Sequence, residues 1–327
     1  MSDCLRFARR PTTNTPKSIL ALGLTPALQK IHFFESFVPG EVNRALRVET
    51  HAGGKASNLA MALATLGDKA YAAGFNGGIA GRLAAADVAA RGAIPAFTPI
   101  KAETRTCHSL VDLKARTVTE LVQEFPSVTE ADLARFTRKM LALLPKCDGL
   151  TISGTLPKSF PADAYVPFGN KASSLAIPWL IDSQKAPLLA TLPCRPTLAK
   201  LNRFELGQTF GQPVRTEAAC VRLLRKVTDA GAAWALMTDG AAPALLVSSD
   251  GGLWKLTPER LAKKDLASPI GSGDCTAAGI IHGLVHGLEM PDAVAFGLAC
   301  GTANARSYVP ADFVAPEGSC GQIIDNR

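Results

Sequence analysis

Aromatic side chains are scarce in this sequence, at 6% of 327 residues, and charged side chains amount to only 19%. Nucleic-acid binding favours aromatic platforms and clustered basic residues, and no Lys/Arg-rich block with interleaved aromatics occurs, so we predict no nucleic-acid partner. No apolar run reaches the roughly 18 residues that a membrane-spanning helix needs, so we predict no membrane contact. The eight cysteines form no C-x-x-C pair and indicate neither a zinc site nor a disulfide framework. A reduced, cytoplasmic setting is therefore expected.

Several common catalytic signatures are also missing. Lys55 follows two glycines, but the Ser or Thr and the upstream glycine of a Walker A loop are absent. His282 and His286 have the spacing of a metalloprotease pair, yet Gly283 stands where Glu is required, which favours plain packing or a surface position. The glycine loop over 74–81 lacks the G-x-G-x-x-G spacing of a dinucleotide site, so an oxidoreductase is a distant alternative.

The charge balance is basic, with a net charge of +7. Part of the excess lies in residues 1–17, which we interpret as a flexible basic tail. The remaining positive charge is scattered and suits a small anionic substrate. An apolar content of 47% over this length is enough for one large α/β domain or two small ones, and we place the folded domain at 18–327.

Short apolar strands alternate with helical segments along most of the chain. Strands are predicted near 18–24, 70–73, 149–153, 178–182, 197–200, 234–238 and 243–247. Helices are predicted near 57–66, 82–91, 129–144, 162–175, 215–230, 275–287 and 291–306. This alternation predicts an α/β fold, a three-layer αβα sandwich around a mostly parallel sheet. Two half-polar hairpins, over 27–50 and 104–122, do not fit that sheet and are predicted to pair as a small β lid.

The run Gly271-Ser272-Gly273-Asp274 leads from a glycine-rich turn into an apolar helical stretch. The first amides of a helix have no intrahelical partner and, with the helix dipole, form a site for anionic oxygens. Asp274 is then placed to accept a proton from a hydroxyl that attacks a phosphate held there. Taken alone, the run favours an ordinary helix cap, and it is the other glycine-rich and polar segments that strengthen the phosphate interpretation.

Two further segments suggest anion and metal binding. Lys55, beside a helix start, either meets an anion or is a solvated lysine, and this segment alone favours neither. Asn202 and Glu205 lie three residues apart at a helix start, where they can hold Mg²⁺ through waters or form a capping box. Ser153 ends a predicted strand, the position at which open parallel sheets bind ligands.

Together these segments resemble the ribokinase/PfkB family of carbohydrate kinases over about residues 18–310. The matching segments are Gly53-Gly54-Lys55-x-x-Asn58-x-Ala60, Thr104-Arg105, Ser153-Gly154-Thr155-Leu156-Pro157, Lys200-x-Asn202-x-x-Glu205 and Gly271-Ser272-Gly273-Asp274. Thr25-Pro26-Ala27-Leu28-Gln29 and Pro39-Gly40-Glu41-Val42-Asn43-Arg44 are similar to the branch that phosphorylates ketohexose phosphates, such as 1-phosphofructokinase and tagatose-6-phosphate kinase.

The resemblance implies an ATP- and Mg²⁺-dependent kinase and assigns a role to each residue at the transferring end. Asp274 is the implied general base, and the amides of Gly271, Ser272 and Gly273 steady the transferring phosphoryl group. Lys200 reaches the ATP phosphates, Asn202 and Glu205 orient Mg²⁺, and Thr238, Gly240 and Asn304 line the nucleotide pocket.

The resemblance also implies the sugar contacts. Lys55, Arg105 and Ser153 hold a phosphate already on the sugar, and Asn58, Gly53, Gly54 and Gln29 meet its hydroxyls. A lid closing over the sugar would exclude water, and the family's lid also suggests a homodimer.

Four positions depart from the family pattern: Gln29 replaces the sugar-binding Asp, Ala56 a glycine, Cys107 an asparagine and Pro243 a glycine. Three of the changes fall on the sugar side, and the catalytic and magnesium positions are intact. The expected substrate is a phosphorylated sugar, most simply a ketohexose phosphate. A kinase of an unphosphorylated sugar or nucleoside, and a catalytically idle sensor of sugar phosphate, are the alternatives.

Overall fold

The computed structural model describes residues 15–317 and the backbone of Gly321–Asp325. Most of the tail predicted at 1–17 lies outside the described residues. The first nine strands are β1 (Ser18–Leu22), β2 (Ala27–Phe34), β3 (Arg47–Gly53), β4 (Lys69–Ala73), β5 (Phe75–Asn76), β6 (Ile94–Pro95), β7 (Thr98–Pro99), β8 (Thr106–Asp112) and β9 (Thr117–Leu121). The others are β10 (Gly149–Ser153), β11 (Trp179–Asp182), β12 (Leu198–Asn202), β13 (Trp234–Asp239), β14 (Ala242–Ser248), β15 (Leu253–Pro258) and β16 (Gly321–Asp325).

The helices of the described part complete the inventory. They are α1 (Lys55–Thr65), α2 (Gly78–Ala90), α3 (Glu130–Leu143), α4 (Val166–Ser174), α5 (Lys185–Thr191), α6 (Arg203–Phe210), α7 (Glu217–Asp229), α8 (Ser272–Val285) and α9 (Met290–Asn304). Short 3₁₀ turns cover Leu144–Lys146 and Leu192–Cys194. Within this part, no helix has both the length and the apolar character needed to cross a membrane.

Ten strands form the main sheet in the order β16-β15-β14-β13-β12-β11-β10-β1-β4-β6. The seven neighbouring strands β13, β12, β11, β10, β1, β4 and β6 run parallel to one another. At the other edge, β14, β15 and β16 are added by antiparallel pairing. The predicted α/β class and mostly parallel sheet are confirmed. Helix α5 and strands β15 and β16 were not predicted from the sequence, and nor was the antiparallel pairing of β13 with β14.

The main sheet is covered by helices on both faces, and β1 shows why. Ile19 and Leu20 are both fully buried, but they belong to different apolar clusters. Ile19 packs with residues of α1, α2, α8 and α9, and Leu20 packs with residues of α3 to α7. Alternate side chains of a central strand point to opposite faces, so a strand covered on both sides is apolar throughout. Three layers result.

A separate four-stranded sheet, called here the small sheet, has the order β3-β2-β8-β9. It is built from the two segments that do not fit the main sheet, and a parallel pairing of β2 with β8 joins them. Ile31, Phe33 and Val111 of its inner face pack near Tyr308. On its outer face, Val48 and Leu121 are 49% and 52% exposed.

Candidate active site

The carboxyl ends of three neighbouring parallel strands bring Ser153, Asp182 and Lys200 side by side in register. Asp182 and Lys200 are almost completely buried, and the Lys200 Nζ lies 2.6 Å from Asp182 Oδ2. Asp182 was not singled out from the sequence, although a carboxylate that ends a buried apolar strand is a usable signal. Ligands bind at this edge of open parallel sheets because loops and strand ends converge there.

Lys55 reaches the same carboxylate from the first turn of α1. Its Nζ lies 2.6 Å from Asp182 Oδ1 and 3.3 Å from Glu205 Oε1. Burial opposes the charge of Lys55, but Asp182, Glu205 and Asp274 outweigh it and raise its pKa. Burial likewise opposes ionisation of Asp182, and the two ammonium groups overcome it and lower the carboxyl pKa. One carboxylate is thus shared by two lysines.

Asp274 lies in the first turn of α8, across from Asn58 of α1. Its Oδ2 accepts a 2.8 Å hydrogen bond from Asn58 Nδ2. Burial raises the pKa of Asp274 to about 6, and Lys55 and Asn58 offset only part of that rise. A carboxyl group with a pKa near neutrality can both take up and release a proton at working pH.

The start of α8 is open to an anion. Gly271 precedes the helix in the left-handed region, at φ 80°, and among the described residues no side chain caps the helix. A Cβ built on Gly273 would lie 3.6 Å from Lys200 Nζ, so this ammonium group approaches the first turn closely. The Ser272 and Asp274 amides donate to Pro269 O and Gly271 O, at 3.1 and 3.0 Å. The Gly273 amide, the helix dipole and Lys200 together attract phosphate oxygens.

Asn304 supports this loop from behind. It is fully buried, and its Nδ2 donates to Ile270 O at 2.9 Å and to Ser272 Oγ at 3.1 Å. Its Oδ1 accepts from the Ala311 amide at 2.8 Å. The side chain expected to line a nucleotide pocket is therefore occupied in holding the loop that precedes α8.

A cavity of about 240 Å³ opens beside Lys55, and Arg105 and Ser153 also line it. Arg105 Nη2 donates to Thr25 O at 2.8 Å, and its guanidinium lies 5.9 Å from the centre of the Phe125 ring. Within the described part, the buried Ser153 Oγ and Arg105 Nε have no hydrogen-bond partner. Buried polar atoms rarely stay unpaired, so this lining suits a ligand with several anionic oxygens.

Gln29 lies outside that cavity lining, on β2 of the small sheet. Its Nε2 donates to Ser109 Oγ at 2.8 Å, and Cys107 is its register partner on β8. A Cβ on Gly53 would lie 3.1 Å from Gln29 Cβ, so the glycine makes room for the amide. Gly54, at φ 93°, is required by geometry because a Cβ there would lie 2.9 Å from Pro26 Cα.

Asn202 and Glu205 form the capping box of α6. Asn202 Oδ1 accepts from the Glu205 amide, and Glu205 Oε2 accepts from the Asn202 amide, both at 2.8 Å. Glu205 Oε1 still faces Lys55. Thr238 is the register partner of Asn202 on β13, and Gly240 follows it in the turn, at φ 57°. The oxygen atoms of Asp182 and Glu205 are the ligand type that Mg²⁺ prefers, so the donor set fits that ion.

Comparison with known proteins gives both a family and a fold. The family profile described as pfkB family carbohydrate kinase matches residues 17–314. Phosphofructokinase-2 from Escherichia coli, solved in complex with substrates and products, is 21% identical, with a TM-score of 0.81 over 92% of this chain and 96% of that chain. A possible 1-phosphofructokinase from Thermotoga maritima is 23% identical, with a TM-score of 0.81 over 90% and 93%. Arabidopsis thaliana ribokinase, complexed with ribose and ATP, is 15% identical, with a TM-score of 0.70 over 90% and 94%.

Proposed function

Because the chain belongs to the pfkB family of carbohydrate kinases, we propose that it transfers a phosphoryl group from ATP to a hydroxyl of a ketohexose phosphate. The observation that carries the proposal is Asp274, a buried carboxyl whose pKa is raised to about 6 at the start of an uncapped helix. Ionised at neutral pH, it would accept the proton of the attacking hydroxyl as the new P–O bond forms and the P–O bond to the ADP leaving group breaks. Asn58 orients it through its 2.8 Å hydrogen bond.

The first turn of α8 would hold the transferring phosphoryl group. The Gly271 and Gly273 amides would direct their partial positive charge at it, and Lys200 lies next to Gly273. Asn304 keeps the preceding loop in place through two hydrogen bonds, to Ile270 O and Ser272 Oγ. Preorganised donors of this kind need no rearrangement when charge develops on the oxygens.

The cavity beside Lys55 would hold the phosphate already on the sugar. Lys55 and Arg105 supply two positive charges, and the unpaired Ser153 hydroxyl supplies a donor. An unphosphorylated sugar would leave these groups unsatisfied, which supports a phosphorylated substrate. The sugar hydroxyls would lie between this cavity and the Gly53–Gly54 backbone, with Gln29 on strand β2 of the small sheet.

Nucleotide and metal would be held at the neighbouring strand ends. Lys200 is placed for the ATP phosphates, Thr238 and Gly240 for the nucleoside, and Asn202 and Glu205 for Mg²⁺ through waters, with Asp182 as a further oxygen donor. When bound, MgATP supplies the phosphoryl group and screens the charge of its oxygens. The small sheet would cover the sugar and exclude water.

The outer face of the small sheet would pair with the same face of a second copy. Val48 and Leu121 expose apolar surface there, on either side of the His32–His108 pair. Sedimentation should show a dimer that Leu121→Lys weakens. Leu189→Lys, at a 41% exposed position on α5, should leave the dimer intact. A monomeric wild-type protein would contradict this part of the proposal.

The direct test of the reaction is ADP release with MgATP over a substrate panel. It should include fructose 1-phosphate, fructose 6-phosphate, tagatose 6-phosphate, fructose, ribose and adenosine. We expect turnover on a phosphorylated ketose and a loss of about 10²-fold or more in kcat for Asp274→Asn. Asp229→Asn, at an exposed position on α7, is the matched control. Turnover on an unphosphorylated compound alone would change the substrate class. Binding without turnover would support a sensor.

The variant Arg105→Ala tests separately whether the cavity beside Lys55 binds the phosphate already on the sugar. Removing a charged hydrogen-bond donor should cost about 1.5–3 kcal/mol of binding, which corresponds to an increase in KM for the phosphorylated sugar of at least tenfold. Arg222→Ala, at an exposed position on α7, should leave KM unchanged. An equal increase in KM for ATP would show that Arg105 faces the nucleotide instead.

A further inference from the structure

A second cluster of titratable side chains lies away from the candidate active site, where Asp68 immediately precedes β4. His282 and His286 come from the last turn of α8 and its C-cap. His282 Nδ1 lies 2.7 Å from Asp68 Oδ2, and His286 Nε2 lies 2.9 Å from Asp68 Oδ1. One donor atom from each side chain lies within 4.8 Å of the other two.

The proposed kinase reaction uses none of these three residues. Asp274 and His286 lie twelve positions apart along α8 and its cap, which is about 18 Å at 1.5 Å per residue. The cluster is nevertheless enclosed, because Asp68, His282 and His286 are 6%, 8% and 5% exposed. Burying three polar side chains of this kind is costly unless each is paired or bound to an ion.

The charges in the cluster suit a cation. Asp68 faces both imidazoles, and its Oδ1 also accepts a 3.0 Å hydrogen bond from the Lys17 amide. A carboxylate beside two imidazoles is a donor set that binds metal cations. The carboxyl-terminal end of α8 adds partial negative charge, which stabilises positive charge at this position.

We propose that Asp68, His282 and His286 bind one divalent transition-metal ion of the Zn²⁺ class. Two imidazole nitrogens and one carboxylate oxygen are a common ligand set for zinc, with a water in the fourth position. Bond lengths of about 2.0–2.2 Å place tetrahedral ligands about 3.3 Å apart. The N–O distances of 2.7 and 2.9 Å are to different oxygens of Asp68. To admit the ion, the imidazole that faces the ligating oxygen needs to move out by about half an ångström, and the other imidazole needs to turn toward that oxygen. Mg²⁺ prefers oxygen ligands and would not compete.

The bound ion would have a structural role. It would join the turn before β4 to the end of α8 across 214 and 218 positions of the chain. Since the ion is remote from Asp274, its removal should change stability and leave the Mg²⁺ dependence of turnover as it was. The test of this metal site therefore does not depend on whether the protein shows the proposed kinase activity.

The experiment is a Zn²⁺ titration of the chelator-treated full-length protein against a chromophoric competitor, read together with the thermal unfolding midpoint. We expect one tightly bound equivalent and a midpoint that rises with Zn²⁺ but is unaffected by Mg²⁺. His286→Gln and Asp68→Asn can still hydrogen bond but are poorer ligands, so each should weaken Zn²⁺ binding at least tenfold. His108→Gln, in the histidine pair of the small sheet, is the matched control.

Co²⁺ provides a second measurement on wild-type protein that needs no variant to fold. Bound at this site, it should show the visible absorption of a tetrahedral nitrogen–oxygen complex. A near-ultraviolet thiolate band would place the metal on cysteine and overturn the assignment. So would the absence of stoichiometric Zn²⁺ binding, or equal Zn²⁺ affinity in wild type and His286→Gln. The cluster would then be a hydrogen-bonded Asp–His–His contact without a metal.

Discussion

Replacing Asp274 by asparagine should stabilise the protein while removing its activity. The folded environment raises the carboxyl pKa from 3.8 to about 6, chiefly by burial. Ionising this group therefore costs more free energy in the folded chain than in the unfolded chain. The protonated carboxyl makes its full contribution to the free energy of unfolding below pH 3.8, and that contribution is lost as the pH rises through about 6. An asparagine carries no such cost and can still accept the hydrogen bond from Asn58.

The magnitude follows from the size of the shift. A rise from 3.8 to about 6 corresponds to about 3 kcal/mol at 1.36 kcal/mol per pKa unit. Asp274→Asn should therefore increase the free energy of unfolding by up to about 3 kcal/mol at pH 8, and by roughly half of that at pH 5. The gain is an upper value because the neighbouring lysines lose a negative partner.

Urea unfolding followed by circular dichroism at pH 5 and pH 8 measures both quantities. Asp182→Asn is a control of opposite sign, because Lys55 and Lys200 hold the pKa of Asp182 low. Removing that carboxylate leaves two ammonium groups without a shared partner and should destabilise the protein by about 3 kcal/mol or more at pH 8. If Asp274→Asn were less stable than wild type at both pH values, the burial argument for its pKa would be refuted.

Three further predictions concern turnover, specificity and the loop before α8. The value of kcat/KM should fall tenfold per pH unit below about pH 6, the pKa of Asp274 in the free protein; an inflection near pH 8 would identify a different base. Gln29→Asp should raise kcat/KM for the accepted sugar phosphate about fivefold, because charged acceptors bind hydroxyls more strongly; an unchanged value would remove Gln29 from the sugar site. Gly271→Ala should lower the free energy of unfolding by about 2 kcal/mol or more, since φ is 80° and its Cβ would lie 2.7 Å from Pro310 Cβ. Gly240→Ala, with open space around it, should cost less in the same urea titration.

Local patterns predicted much of the architecture. The apolar strand at 149–153 is observed as β10 with the same bounds, and the helix predicted at 129–144 is observed as α3. Helix α8 begins at Ser272, three residues earlier than predicted, because Gly271 already turns the chain. Both the alternation of elements and the glycine-rich turns are encoded within short windows, which is why they could be read from sequence.

Contacts between residues that are far apart in the sequence could not be predicted from these patterns. The pairing of Lys55 with Asp182 joins positions 127 residues apart, and nothing near either residue indicates the other. Asn304 was assigned to a nucleotide pocket on resemblance alone, whereas its hydrogen bonds hold the loop before α8. Gly283 between His282 and His286 favoured ordinary packing or a surface position. Their acidic partner, Asp68, lies on a remote turn and could not be predicted from that segment.

The sharing of Asp182 by two lysines has a consequence for how the two proposed substrates would bind. A sugar phosphate bound at Lys55 would draw that ammonium group from Asp182, whose carboxylate would then neutralise Lys200 more fully. An anion on Lys200 would have the corresponding effect on Lys55. The affinities for the two substrates should therefore be thermodynamically linked, and each substrate should change the affinity for the other by the same factor. Asp182 would then couple the electrostatics of the sugar-phosphate site at Lys55 to those of the ATP site at Lys200.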